Sequence, residues 1–424
     1  MIRPVLGTVA ARVAITAMNL LLVAAAGQSL GAAGLGTIGL VVLGITLILL
    51  FGNIIGGGGL VYLIPRYGVR PLLAPSYMWV LITAGVAFGF QQVVPFLPDG
   101  LAGHVVALAT LQAINSIHLN ILLGRERIAL QNSILVVQMA IQLAAFGVLL
   151  RIGGPTVLDY IHATYIAHGA TVLISAVFAF GQIGQEDRGL PQGSSVTALF
   201  KQGLLAQGAN LLQLLNYRLA YYLIEHFRGL ASLGVFSVTT QLAESTWVIP
   251  KSIGGVLYSK VSNLEAAERQ RDLTVILFKV AVVIAFLCCS VLLLVPDPVY
   301  TFVFGPEIRD LHPLLLLMVP GLVAMSASQV LSHYLSGTGR VVHNTVGSGL
   351  GLVVTVVVGL WLIPAQGLAG AAITASMAYG TSVTYQLIVF LRTTGTRLVE
   401  LVPHARDRAR LSAVWDRLKE RMGL

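Results

Sequence analysis

Four ionisable side chains stand inside apolar stretches of one segment, residues 207–263: Arg218, Glu225, Glu244 and Lys251, with Asn216, Tyr217, Gln241 and Trp247 beside them. A charge facing lipid at the centre of a bilayer costs about 2.5–3.5 kcal/mol on insertion scales. These groups are therefore expected to face a protein interior or a wet cavity. Their chemistry would be non-covalent. An arginine stays charged and offers a planar fork to phosphate or carboxylate oxygens, and a carboxylate held away from bulk water is a candidate proton carrier. Glu244 and Lys251 are seven residues apart, which puts them on one helix face. Three outcomes are open for Arg218: contact with an anionic ligand, an internal pair with Glu225 or Glu244, or snorkelling of its stem to the surface. Glu244 has a matching choice between pairing with Lys251 or Arg218 and a gating or proton-coupling role.

Covalent chemistry finds no support. The nine histidines (104, 118, 162, 168, 226, 312, 333, 343 and 404) are scattered, with no HExxH run and no close acidic cluster. Cys288 and Cys289 are neighbours in an apolar run and have neither disulfide-framework nor metal-site spacing. The expectation is a protein that is not an enzyme and uses no metal or cofactor.

The elements that hold these residues follow from composition. The chain has 424 residues, 56% hydrophobic and 10% charged, with mean hydropathy +0.85, whereas soluble domains are about 25% charged. Apolar runs of bilayer length recur throughout, and hydrocarbon requires backbone groups to be satisfied within helices. This predicts an all-α polytopic membrane protein with twelve transmembrane helices over 8–26, 36–62, 72–94, 101–123, 131–150, 160–182, 200–224, 230–256, 273–295, 311–333, 342–363 and 367–390. Pro250, inside the eighth, is expected to kink it. Basic residues crowd alternate loops, which places both termini in the cytoplasm. The net charge of +9 then reflects topology and not a nucleic-acid partner. Arg66, Arg125, Arg127, Lys260 and Arg340 mark the cytoplasmic mouth. A basic amphipathic tail follows, with anionic membrane lipids as its expected partner.

Two local echoes suggest duplication. Ser29–Gly36 aligns with Phe227–Gly234, matching Gly31 to Gly229 and Gly36 to Gly234, and Gly124–Ile128 aligns with Gly337–Val341. The expected organisation is an N-terminal six-helix lobe (1–190), a pseudo-symmetric C-terminal six-helix lobe (191–395) around a central cavity, and the tail (396–424). Even-numbered halves share one orientation, and lobes so related can rock about a common axis. The glycines at 52 and 56–59 would allow close packing or a bend in the second helix.

Residues 1–390 resemble the oligosaccharide flippases of polysaccharide biosynthesis, within the superfamily that also holds multidrug and toxin extrusion transporters and lipid II flippases. The resemblance is carried by Leu215-Asn-Tyr-Arg-Leu219, Leu233-Gly-Val-Phe-Ser-Val238, Leu242-Ala-Glu-Ser-Thr-Trp-Val-Ile-Pro250 and Tyr258-Ser-Lys-Val-Ser262, with support from Ser336–Arg340, Leu362–Ala372, Arg12 and Ala33–Gly36. It implies alternating-access translocation of a polyprenyl-pyrophosphate-linked glycan to the outer leaflet for surface polysaccharide. A polysaccharide polymerase or assembly complex would be a partner. Arg218, Arg12, Asn216, Tyr217, Lys251 and Gln241 would bind substrate, while Glu244 and Glu225 would couple or gate. The chain departs from the pattern at Ala220, where many relatives carry an acid, and it lacks the Arg-Asp pairing of the lipid II branch. The alternatives are a cation-coupled multidrug exporter on the same scaffold and a non-transporting scaffold in a glycan-assembly complex.

Overall fold

The computed structural model describes residues 2–93, 96–183, 193–264 and 266–402. The boundary expected at 190/191 and nearly all of the tail helix fall outside them. The elements are α1 (Ile2–Gly56), α2 (Gly58–Tyr67), α3 (Arg70–Val93), α4 (Ala102–Gly124), α5 (Ile128–Ile152), α6 (Val157–Phe180), α7 (Gly193–Ser245), α8 (Val248–Val261), α9 (Ala267–Leu294), α10 (Asp297–Phe304), α11 (Leu311–Gly337), α12 (Val342–Gln366), α13 (Leu368–Thr394) and a 3-10 turn, Leu398–Leu401. No strand occurs among the described residues.

α1 and α7 each contain two membrane crossings. Gly31 (φ 68°, ψ −172°) breaks α1 and Gly229 (φ 80°, ψ 174°) breaks α7, a backbone region open essentially to glycine alone. The Gly-rich joints expected at 29–36 and 227–234 are thus single-residue breaks between long helical arms. The second arm of α1 continues into α2 past Gly57, and that of α7 continues into α8 past Thr246 and Trp247. Pro250 lies in the first turn of α8, where a missing N–H costs little. The interruption of the eighth crossing therefore precedes the proline. The twelve crossings form two six-helix lobes, α1–α6 and α7–α13. Here the inner end of the bundle is the one bearing the α2–α3 and α4–α5 turns, and the outer end is its opposite.

The repeat holds at the level of hydrogen bonds. After α4, the N–H groups of Arg125, Glu126 and Arg127 donate to the carbonyls of Ile121, Leu123 and Leu122. After α11, Thr338, Gly339 and Arg340 donate to Tyr334, Ser336 and Leu335 in the same pattern. The left-handed positions are Glu126 (φ 60°) and Gly339 (φ 77°). The lobes also touch reciprocally. A Cβ on Gly36 would stand 2.0 Å from the carbonyl oxygen of Leu230, and one on Gly234 would stand 1.8 Å from that of Ala32. Gly36 matches Gly234 and Ala32 matches Leu230, so this contact lies on the pseudo-twofold axis, near the outer end. Toward the inner end, Gly203 of α7 packs on the backbone of Ile54. One apolar cluster runs across the seam, from Leu22, Leu35 and Phe146 to Phe236, Leu242 and Met318.

α10 is a short helix in the connection between the crossings expected at 273–295 and 311–333. The start of the tail is tied to the C-terminal lobe, where Arg271 of α9 donates to Thr396 at 2.9 Å and pairs with Glu400.

Candidate functional site

Arg218 and Glu244 meet where the two arms of α7 lie side by side. Arg218 Nη2 donates to Glu244 Oε2 at 2.7 Å, and Nη1 donates to the Tyr221 hydroxyl at 2.9 Å. Tyr221 in turn shares a 2.6 Å hydrogen bond with Thr240. Short charge-assisted bonds of this kind are about twice as strong as neutral ones. Of the outcomes open at the sequence level, the internal pair with Glu244 is the one observed. The side chains keep 22% and 25% of their surface accessible. Glu244 Oε1 is buried with no hydrogen-bond partner among the described residues.

The pair lies at the seam between lobes. Gln241, one turn before Glu244, accepts a 2.9 Å hydrogen bond from Asn19 of α1. Tyr221 and Ser237 pack opposite Gly39 of α1. The seam is thus bridged at Asn19–Gln241, one turn from the ion pair. Asn19 was not singled out by sequence reasoning; the available signal was an amide in an otherwise apolar first crossing.

Beside the pair is an aromatic group. Tyr217, Trp247 and Tyr379 pack edge-on or tilted with ring centroids 5.4–5.9 Å apart. The Tyr217 hydroxyl accepts from Gln213 at 2.9 Å, and Trp247 Nε1 donates to the Leu322 carbonyl at 3.3 Å. Tyr379, on α13, carried no sequence signal that set it apart from other buried tyrosines.

Toward the inner end the site becomes basic. Arg12 of α1 and Lys251 of α8 lie within electrostatic reach of each other, and both act on His333 of α11. A Cβ on Gly254, one turn from Lys251, would stand 2.5 Å from the His333 ring. Glu244 is the acid within reach of Lys251, and it is already engaged with Arg218. Neither Arg12 nor Lys251 has an ion-pair partner among the described residues.

Other expected site residues are elsewhere. Asn216 is 4% exposed and turned into its own lobe. Its Nδ2 donates to Ser382 at 3.2 Å, its Oδ1 accepts from Thr355 at 3.2 Å, and Gly351 leaves it room. Residues two apart on a helix face different ways, so Asn216 and Arg218 cannot serve one ligand. Asn216 ties α7 to α12 and α13. Glu225 is half-buried toward the outer end, about 10 Å along the helix from Arg218, and is not joined to it. At the inner mouth, Arg66 donates to the Tyr62 carbonyl at 2.6 Å and stacks over its ring. Arg125, Arg127 and Arg340 occupy the two equivalent turns, and Lys260 is exposed at the end of α8. Among the described residues, no three His, Cys, Asp or Glu side chains gather as a metal site would require.

No family model and no curated protein matches the sequence. Solved structures do match the fold. One is the inward-facing conformation of a multidrug resistance MATE family transporter of the MOP superfamily, with TM-score 0.73, 15% identity, and coverage of 90% of this chain and 94% of that one. The outward-facing conformation of a multidrug resistance MATE family transporter of that superfamily matches with TM-score 0.69 and 16% identity over 92% and 95%. A third is a MOP superfamily transporter from Pyrococcus furiosus whose binding pocket is described as having reverse polarity, suggesting a different function. It matches with TM-score 0.65 and 14% identity over 92% and 95%. The fold is therefore the two-lobed, twelve-helix fold of MATE transporters.

Proposed function

We propose that this chain is a membrane exporter that works by alternating access and holds amphipathic organic solutes beside Arg218 and Glu244. The observation that carries this reading is the ion pair itself: it stands at the seam between lobes, partly accessible, with one carboxylate oxygen unsatisfied. Such an oxygen is an acceptor for a proton or for a cationic group, and Tyr217, half-buried and backed by the buried Trp247 and Tyr379, supplies aromatic surface near it. The pairing also suits a multidrug exporter, because Glu244 offsets the fixed positive charge of Arg218. Similarity to an inward-facing and an outward-facing structure of multidrug resistance MATE family transporters supports the same reading. Rocking of the lobes would expose the pair first to one side and then to the other.

A second substrate reading rests on the unpaired basic groups. Arg12 and Lys251 bring positive charge to the inner end of the seam, which suits an anionic headgroup such as the diphosphate of a polyprenyl-linked glycan. The neighbour described as having a binding pocket of reverse polarity supports attention to charge at this position. Under this reading the termini face the cytoplasm, the glycan lipid leaves for the outer leaflet, and a polysaccharide polymerase is a natural partner.

Purified protein in liposomes separates the two. Uptake of a cationic dye driven by a proton or sodium gradient, lost in Glu244→Gln, is the expected result for the exporter. Translocation of a lipid-linked oligosaccharide with no dye transport, impaired in Arg218→Gln while folded protein remains in the membrane, would replace it with the second reading. Failure of both substrates under every gradient would reject transport at this site.

A further inference from the structure

The halves differ at one position where their repeat predicts likeness. At Gly229 no atom lies within 4 Å of where a Cβ would stand. At Gly31 that place is taken by the carboxylate of Glu307, from the opposite lobe, with Oε2 at 2.6 Å. Glu307 Oε2 accepts a 2.8 Å hydrogen bond from the backbone N–H of Ala32. Ala32 begins the second arm of α1. The first N–H groups of a helix lack partners within it, and the helix dipole favours a negative charge there. Glu307 thus caps a helix of the N-terminal lobe while belonging to the C-terminal lobe.

Two more contacts share this place. Gln28 Nε2 donates to the carbonyl of Phe302, and to that of Val303 at 3.3 Å. The backbones of Gly27 and Gly305 approach with no side chain between them. Residues 302–307 are the end of α10 and the turn after it. The corresponding connection of the first half, between α3 and α4, has no helix among its described residues. The second half thus carries an element without a counterpart among the described residues of the first, and that element reaches across the seam at the outer end.

We infer that α10 and its turn form a latch on the outer end of the bundle, with Glu307 as its catch. Separation of the lobes at that end strips the Ala32 N–H of its acceptor and parts Gln28 from the α10 carbonyls. Closure restores both. The outer end is hydrated, so water takes over the released groups and the latch biases the opening without blocking it. Its meaning for transport rests on the alternating-access reading, but the latch can be tested without any substrate.

The test uses full-length protein in liposomes, with Cys288 and Cys289 replaced by alanine and Ser237→Cys added as a reporter. Ser237 is 4% exposed, faces Gly39 across the seam, and lies about two turns inside the Gly229 break. A membrane-impermeant maleimide is applied from the outer face. Glu307→Ala should raise the labelling rate about three- to tenfold, the range expected for loss of a charged cap. Glu307→Gln keeps an acceptor and should fall between. Asp159→Ala is the control: Asp159 caps α6 at the same end, through Thr156, but wholly within one lobe. A second readout is the spin-label distance between Ile152→Cys and Trp361→Cys, exposed positions on opposite lobes, which should lengthen in Glu307→Ala. Unchanged labelling and distance in Glu307→Ala, or an equal rise in Asp159→Ala, would overturn the latch.

Discussion

Neutralising Glu244 tests the site most directly, because glutamine keeps an acceptor for Arg218 and removes only the charge. The pair is neither exposed nor sealed, with 22% and 25% of its side-chain surfaces accessible. Fully exposed pairs contribute about 0–1 kcal/mol, and breaking a buried one costs about 3–5 kcal/mol. Two unit charges 4 Å apart at an effective dielectric of 20 attract by about 4 kcal/mol, before desolvation is subtracted. Arg218 in Glu244→Gln would retain the Tyr221 hydroxyl as a second acceptor. These terms place the loss at about 1–3 kcal/mol for either single substitution, Glu244→Gln or Arg218→Gln. The double substitution removes both charges and leaves neither stranded, so it should cost less than the sum by about 1–2 kcal/mol. Equilibrium unfolding of purified protein in mixed micelles, carried through all four members of the cycle, reads the coupling. Additivity within about 0.5 kcal/mol would mean that the two groups do not depend on each other, and the site as drawn would fail. Transport gives an independent arm. Glu244→Gln leaves Arg218 unopposed, so cationic dye export should fall while handling of an anionic lipid is kept or improved.

Three further outcomes follow from particular contacts. Arg12→Gln and Lys251→Gln should weaken binding of a lipid diphosphate severalfold and flatten its salt dependence, with cationic dye transport unchanged; equal loss of both substrates would show a structural role for the basic pair. Asn216→Ala should lower stability by about 1–3 kcal/mol, since Ser382 and Thr355 lose a buried partner, while transport per folded molecule is retained; a selective transport defect would return Asn216 to the binding site. Gly36→Ala and Gly234→Ala would each drive a methyl group into a carbonyl of the opposite lobe, at a cost of about 1–3 kcal/mol. Both should increase labelling of Ser237→Cys from the outer side, and a response from only one would argue against the axis.

The pattern of crossings was legible because apolar length and loop charge are summed over many residues, and no single side chain decides them. Duplication was legible at Gly31 and Gly229 for a different reason: a break with φ near 70–80° admits glycine almost alone, so the requirement shows in the letters. The equivalence of Glu126 and Gly339 shows only in the letters that flank them. There the hydrogen bonds repeat although one half uses a residue strained in that conformation. The candidate site was legible only in part. Arg218 and Glu244 stand out as charges in apolar runs, but their partners depend on how the second arm of α7 folds back, which no local spacing fixes. Asn216 stands two residues from Arg218 yet meets Ser382 and Thr355 of its own lobe, because direction around a helix decides what a side chain touches. Asn19, Tyr379 and Glu307 come from distant elements, and each gains its role only through the contact between lobes.

The reciprocal meeting of Gly36 and Gly234 has a bearing on descent. A surface that touches its own duplicate across a twofold axis is the signature of an isologous homodimer, here enclosed within one polypeptide. An ancestor of half the length, assembling in pairs through this glycine, would have felt any substitution there twice over. Within a single chain that doubling is lifted, and α10, present in one half alone among the described residues, is where the two halves differ. At the axis itself, each glycine still answers to the other.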